Sequence, residues 1–323
     1  MAWIKRDLQE LNLDTPSAVT IGAFDGVHRG HRALIQKMVA EAERRHWAPV
    51  VVTFDPVPAQ ALDQNGTHLL TSLEERIHLV ESLGVAGILT LTFDQALMET
   101  PAEHFVQQLV DHLRLSGLWI GPDFTLGKDR QGDINYLSEA GHRLGFETHV
   151  LYRTILWEGR PVRSSRIREA LKRGDIDEAN GCLGYPYHLT GTVEHGDKRG
   201  RELGFPTANL RVPEKRLLPA DGVYVCCAHV GDEIHGAIAN IGTRPTFDHA
   251  PRSVEAYLLD FAMDIYGSSM QLDFLKHLRP EKRFLSADAL VAQMHRDEAE
   301  ARAWLKETSW CEEGIHVYPM ETE

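Results

Sequence analysis

Between residues 18 and 154, short apolar runs alternate with helical stretches, and this constrains the chain more than any other feature. The runs are Ala18–Ile21, Pro49–Phe54, Val85–Leu91, Leu118–Ile120 and Thr148–Thr154. Apolar residues on both faces of so short a run suit a strand buried on both sides. Between the runs, Leu34, Ile35, Met38, Val39 and Ala42 recur at helical spacing. Thr71 or Ser72 caps a second helix, Pro101 opens a third that reaches Leu113, and Leu137–Leu144 makes a fourth. Strands alternating with helices predict a doubly wound parallel sheet. A short helix pair follows over Ser164–Asn180, with Gly174 stopping its first member. Near Leu183–Pro186 the pattern changes. Tyr187–Val193, Gly222–Val230, Glu233–Ile241, Val254–Phe261 and Gln271–Leu278 read as period-2 strands, and Ala287–Lys306 as a closing helix. That predicts an antiparallel sheet or barrel. The expected domains are 1–183 and 184–323.

Within the first domain one turn stands out. Gly22-Ala-Phe-Asp-Gly-Val-His-Arg-Gly-His31 lies between the first strand and the first helix. Gly22, Phe24, Asp25 and Gly26 form a turn whose backbone N–H groups, with the positive end of the helix, can approach phosphate. His28 and His31 straddle a glycine where that helix begins, so they are expected to face a nucleoside triphosphate. The segments around Asp25, Asp55 and Asp123 all follow strands, where ligands of such sheets bind. Ser164 and Ser165 open a helix with Arg168 one turn on, a set suited to outer phosphates.

Composition narrows the partners. A formal net charge of −13 argues against nucleic acid, which usually meets a basic stripe. It leaves nucleotide binding open. No apolar run approaches the roughly 20 residues of a spanning helix, so no membrane partner is expected. Cys182, Cys226, Cys227 and Cys311 form no CxxC pair, and Cys226 and Cys227 would point to opposite faces of a strand. A disulfide framework is not expected, and a cytoplasmic location fits. The 17 histidines include no HxH or HExxH pattern.

The second domain carries a glycine-rich basic loop in Gly191–Asn209. Gly196, Gly200 and Gly204 allow close backbone approach to phosphate, and Lys198, Arg199 and Arg201 add positive charge. Thr207 and Asn209 follow with neutral oxygens, hard ligands that suit Mg²⁺ beside nucleotide phosphate. If Val254, Ala256 and Leu258 face the core, Glu255 faces the other way. A carboxylate so placed beside a cleft can take a proton from a substrate hydroxyl.

These elements, in this order, resemble the bifunctional prokaryotic riboflavin kinase/FAD synthetase family over nearly the whole chain. Gly22–His31 matches its adenylyltransferase signature. Val162–Arg168 matches its Ile-Ser-Ser-Thr-Arg-Ile-Arg signature, which makes Ser164, Ser165 and Arg168 phosphate contacts. Gly121-Pro-Asp-Phe124 matches an element of its nucleotide and flavin pocket, so Asp123 and Phe124 are implied to bind flavin. Gly204-Phe-Pro-Thr-Ala-Asn209 matches its kinase signature. The resemblance implies that Glu255 is the base for the ribityl 5′-hydroxyl and that Asn240, in Asn240–Thr246, is structural or flavin-adjacent. It also implies a nucleotidylyltransferase-type, Rossmann-like α/β domain followed by a six-stranded Greek-key β-barrel. Riboflavin would become FMN and then FAD, with Mg²⁺-ATP as donor and pyrophosphate released in the second step. A cytoplasmic monomer or weak homo-oligomer is expected.

Five changes depart from the family pattern, one of them spanning two residues. Val57 stands where the family has histidine in Phe54–Pro58, and Thr125-Leu-Gly127 replaces Arg-Phe-Gly. Arg163 stands for serine, Tyr185 for arginine and Tyr257 for histidine. Three alternatives stay open on the sequence: a kinase whose first domain is inactive or altered in specificity, a flavin-binding regulator without turnover, and a cytidylyltransferase-type enzyme with an unrelated barrel.

Overall fold

The structure, a computed structural model, describes residues 2–62, 67–196, 204–243, 252–308 and 310–311. By internal contacts the chain divides into two compact units, Met1–Ser164 and Ser165–Glu323.

The first unit is an all-parallel six-stranded sheet. Its strands are β1 (Trp3–Lys5), β2 (Ser17–Ile21), β3 (Ala48–Phe54), β4 (Gly87–Leu91), β5 (Leu115–Ile120) and β6 (Glu147–Val150), in the order β1-β4-β3-β2-β5-β6. Its helices are α1 (Arg29–Arg45), α2 (Pro58–Leu62), α3 (Leu73–Glu81), α4 (Gln95–Met98), α5 (Ala102–Leu113) and α6 (Ile134–Leu144). Side-chain alternation sorts the core into two layers. Val19, Ile21, Val50 and Val52 pack with Phe105, Leu109 and Leu137 of α5 and α6. Ala18, Val51 and Ile88 pack with Ile35, Met38 and Val80 of α1 and α3. The doubly wound expectation therefore holds. Strand order reverses beside β2, with β3, β4 and β1 on one side and β5 and β6 on the other. The crevice for a ligand thus lies outside the carboxyl ends of β2 and β5. A short hairpin of β7 (Leu156–Trp157) and β8 (Arg160–Pro161) closes this unit and lays Trp157 against Arg29.

The second unit is a closed antiparallel barrel. Its strands are β9 (Tyr187–Glu194), β10 (Ala208–Arg211), β11 (Gly222–Val230), β12 (Glu233–Thr243), β13 (Arg252–Leu258) and β14 (Ser269–Pro280), in the order β10-β13-β12-β11-β14-β9. β11, β12 and β13 form a meander and β14 returns beside β11, which is the Greek-key order. Of the helix pair α7 (Ser164–Arg173) and α8 (Ile176–Leu183), α8 packs on β14 and β9, and Leu171 O of α7 accepts from Ala220 N just before β11 at 2.8 Å. The Asn180 side chain donates to Phe274 O at 2.8 Å and accepts from Tyr187 N at 2.7 Å. Glu178, nearly buried, joins Arg166 at 2.7 Å and Arg173 at 2.8 Å. Helix α9 (Ala287–Thr308) runs along the barrel and sets Leu305 over Gly236, where a Cβ would come within 2.7 Å of it.

Cysteine chemistry departs from the expectation of no disulfide. Cys226 and Cys227 do face opposite ways, but Cys227 is bonded to Cys311 across a sequence separation of 84. Cys226 and Cys182 are buried free thiols. A crosslink over a loop of that length restricts the unfolded chain, which the loop-entropy estimate sets at about 4–5 kcal/mol. Reduction, or Cys311→Ser, should lower the melting temperature of the barrel unit and leave that of the sheet unit unchanged. Calorimetry with and without dithiothreitol checks this.

Candidate active sites

In the first unit the sequence-predicted turn sits at the carboxyl end of β2. Its backbone is unusual: Phe24, Gly26 and Val27 all have positive φ, at 47°, 80° and 31°. Phe24 folds back under Gly22, where an added Cβ would meet its ring at 3.0 Å. His28 is the N-cap of α1, and its Nδ1 accepts from His31 N at 3.3 Å. A neutral His28 ring therefore carries its proton on Nε2. The two imidazoles stack with centroids 3.6 Å apart, and Phe24 meets His31 edge-on at 5.3 Å. Gly30 makes room for this, since a Cβ there would lie 3.2 Å from His28 Cε1. Burial first, then the neighbouring His28 and Arg76, hold the His31 imidazole well below its ordinary pKa. His31 is thus neutral near pH 7, a hydrogen-bond donor rather than a cation.

Asp25 does a different job from the rest of the turn. Its carboxylate accepts from Leu70 N and Thr71 N at 3.0 and 3.1 Å and from the Thr71 hydroxyl at 3.2 Å. It is an internal anchor, and an anion would be repelled from it. The Ser164 hydroxyl donates to Asp25 O at 3.1 Å. Ser165 and Arg168 lie further along α7, in the second unit. Asp123 and Phe124 follow β5, next to β2 in the sheet, so topology brings their loop and the histidine turn to the same crevice. Asp123 is exposed, and Phe124 packs partly into the core. Val57 is 1% exposed and accepts from Gln60 N at the start of α2, so the departure there is filled by packing.

In the second unit the strand register builds a row. Asn209 on β10 lies opposite Glu255 on β13, and Glu255 opposite Asn240 on β12. Asn240 in turn lies opposite Val223 on β11, and Val223 opposite Arg279 on β14. Directly opposed residues share a face, so one side of the barrel carries this line of polar groups. Glu255, Asn240 and Arg279 open on a cavity of about 360 Å³, together with Thr207. Phe205, Tyr257, Phe284, Leu290 and Met294 give it apolar walls. That size and mixture fit a flat organic ligand of modest size. Gly196 presses on Asn209, where a Cβ would come within 2.0 Å of its Nδ2. Gly204 has φ 86°. Lys198, Arg199 and Gly200 lie outside the described residues.

Several lining residues carry no motif in the sequence. Arg279 and Asp297 form a bidentate pair, with Nε to Oδ1 at 3.0 Å and Nη2 to Oδ2 at 2.7 Å. Gln293 adds a third donor to Asp297 at 2.7 Å. Glu281 lies beneath Gly242, and burial followed by the charge of Asp221 raises its carboxyl pKa. Only the register of β14 and the docking of α9 bring these groups to the cavity.

Two family models match in tandem. The one described as FAD synthetase covers residues 11–166 and the one described as riboflavin kinase covers residues 183–305. A bifunctional riboflavin kinase/FMN adenylyltransferase of Escherichia coli is 40% identical over 288 residues, which is 88% of this chain and 91% of that protein. The chain belongs to the bifunctional riboflavin kinase/FMN adenylyltransferase family. A family member from Bacillus subtilis is 34% identical, covering 88% of this chain and 91% of its own. A solved structure from Streptococcus pneumoniae, described as a macrolide-efflux protein, has a TM-score of 0.86 and 29% identity over 94% of this chain and 99% of that one. Among the described residues here, no helix is long and apolar enough to cross a membrane.

Proposed function

We propose that this chain makes FAD from riboflavin in two steps, each at its own site. The row Asn209–Glu255–Asn240–Arg279 beside the 360 Å³ cavity carries the reading. At that cavity Glu255 takes the proton of the ribityl 5′-hydroxyl. The oxygen attacks the γ-phosphorus of ATP, and the β–γ bridge breaks to release ADP. The flavin ring lies between the apolar walls, with Asn240 and Arg279 at its edge. The glycine-rich loop from Gly196 to Gly204, with Lys198, Arg199 and Gly200, covers the phosphates. Thr207 and Asn209 supply neutral oxygen donors, hard ligands that suit Mg²⁺. Bound there, Mg²⁺ would neutralise charge on the transferring phosphate.

At the histidine turn a phosphate oxygen of FMN attacks the α-phosphorus of a second ATP, and pyrophosphate leaves. Gly22, Phe24 and Gly26 bring the backbone close, and His28 and the neutral His31 donate to the developing charge. Ser164, Ser165 and Arg168 hold the outer phosphates, and Asp123 and Phe124 contact the flavin. Asp25 acts indirectly, by anchoring the turn. We assign residues 1–183 to this activity and 184–323 to the kinase, because α7 opens with Ser164, whose hydroxyl reaches the turn. A cytoplasmic monomer or weak homo-oligomer fits the acidic chain and its bacterial relatives, while the Cys227–Cys311 bond removes the cysteine argument for a reducing compartment.

Incubation with riboflavin and Mg²⁺-ATP, followed by chromatography, tests the reading. FMN followed by FAD supports it, and no flavin phosphate at all overturns it. FMN without FAD would favour a narrower reading, a kinase with a silent or altered first domain, which Val57, Thr125 and Arg163 motivate.

His31 also gives a pH signature. Its folded pKa is depressed, so below about 6.5 the unfolded chain binds protons that the native turn refuses. Native stability is present above that pH and is lost as pH falls toward the folded value. The acid limb of FAD formation should therefore lie below 6.5. His31→Ala should cut adenylylation by about 10²–10³-fold and leave FMN formation unchanged, as measured by steady-state rates with FMN or riboflavin supplied.

A further inference from the structure

The turn bearing His28 and His31 holds three positive φ values within residues 24–27, two of them at non-glycine residues, Phe24 and Val27. Such a backbone persists only where its surroundings over-determine it. Much of what holds it comes from one short stretch, Leu70–Arg76. Leu70 and Thr71 bind the Asp25 carboxylate, and the Thr71 hydroxyl also accepts from Gly26 N at 3.0 Å. One turn into α3, Arg76 Nη1 donates to Ala23 O at 2.7 Å and to Thr53 Oγ1 at 3.3 Å. Thr53 Oγ1 itself donates to Ala23 O at 3.2 Å.

Arg76 is a costly residue for a purely structural task. It is 1% exposed, and its Nε and Nη2 are buried with no hydrogen-bond partner among the described residues. A buried guanidinium with unmet donors is strongly penalised. Asp25, Asp55 and Glu74 offset its charge. A methionine would fill the same space more cheaply but could not pin a carbonyl.

We propose that Arg76 is a positioning residue for adenylyl transfer: by pinning Ala23 O and Thr53 Oγ1 at the carboxyl ends of β2 and β3, it sets the angle at which the turn presents His28 and His31. This rests on the adenylyltransferase reading above. Arg76 touches no substrate; it acts through the backbone that bears the histidines. Its charge also weighs on His31, alongside His28, which stacks on that ring.

The test compares Arg76→Met and Arg76→Lys in the full chain, with riboflavin phosphorylation and thermal melting as controls for folding. In Arg76→Met, kcat for FAD formation from FMN should fall about 10²-fold, the cost of a displacement near 1 Å, while the KM for ATP changes little. Arg76→Lys should recover part of that loss. Histidine-resolved NMR should show His31 titrating at higher pH in Arg76→Met but not in Arg76→Lys. This readout needs no turnover, so it stands even if the wild-type chain makes no FAD. Should Arg76→Met fail to fold, Arg76→Leu, which likewise has no donor, replaces it with the same expectations. A folded neutral variant with kcat within about threefold of wild type, or with His31 titrating as in wild type, overturns the proposal.

Discussion

Glu255→Gln should abolish riboflavin phosphorylation and leave FMN adenylylation at the wild-type rate. Glutamine matches the size of glutamate and keeps an oxygen that can accept from Asn209 or Asn240 on the flanking strands. It cannot take up a proton as the 5′-hydroxyl attacks. The loss should therefore fall on kcat, by about 10²–10⁴-fold, the usual worth of a general base, with the KM for riboflavin nearly constant. The histidine turn belongs to the other compact unit, so FAD formation from supplied FMN should not change. Separate assays started from riboflavin and from FMN check both halves. FMN production within a few-fold of wild type would remove Glu255 as the base. Loss of both activities in a variant with a normal melting curve would remove the two-site scheme.

The sheet unit was legible where strands are long and apolar on both faces. β2, β3, β4 and β5 all follow runs visible in the sequence. β1 is only Trp-Ile-Lys at the sheet edge, with Ile4 exposed, and so gives no run to recognise. β10 hid at the end of the glycine-rich loop, because four residues cannot establish an alternation. The pair α7 and α8 shows amphipathic spacing, but amphipathicity does not say which sheet a helix covers; here the partner of α8 is the barrel. The Cys227–Cys311 bond joins a strand to a residue beyond the last helix, and no local pattern could announce it.

The sites divide in the same way. Candidates in contiguous motifs, such as His28, His31, Thr207 and Asn209, could be proposed from spacing. Glu255 and Asn240 needed the family resemblance, because one polar residue on a strand is ordinary. Arg279, Asp297 and Arg76 escaped altogether. In the sequence Arg76 is one charge among several on an N-capped helix, and only the packing of α3 under the turn reveals its contacts. Asp25 is the converse case. It stands inside the most suggestive motif of the chain, yet its carboxylate faces inward to the loop before α3.

Asp297→Ala should destabilise the barrel unit and weaken riboflavin binding together. Asp297 is 6% exposed and meets Arg279 through two nitrogens, with Gln293 on its other side. Removing the carboxylate leaves a guanidinium partly buried without its counter-charge, a change that typically costs about 3–5 kcal/mol. The pair also ties α9 to β14, and α9 contributes Leu290 and Met294 to the cavity wall. A loosened helix should therefore raise the Kd for riboflavin about tenfold, equivalent to about 1.4 kcal/mol. The double variant Arg279→Met with Asp297→Leu separates the two effects. It leaves no unpaired charge and keeps apolar contact between strand and helix, so most of the stability should return. Riboflavin binding should not return, because the Arg279 face is missing from the cavity. Calorimetry and quenching of riboflavin fluorescence report the two quantities independently. A double variant that binds riboflavin like wild type would show that the pair only staples α9 and that Arg279 contributes nothing to the ligand.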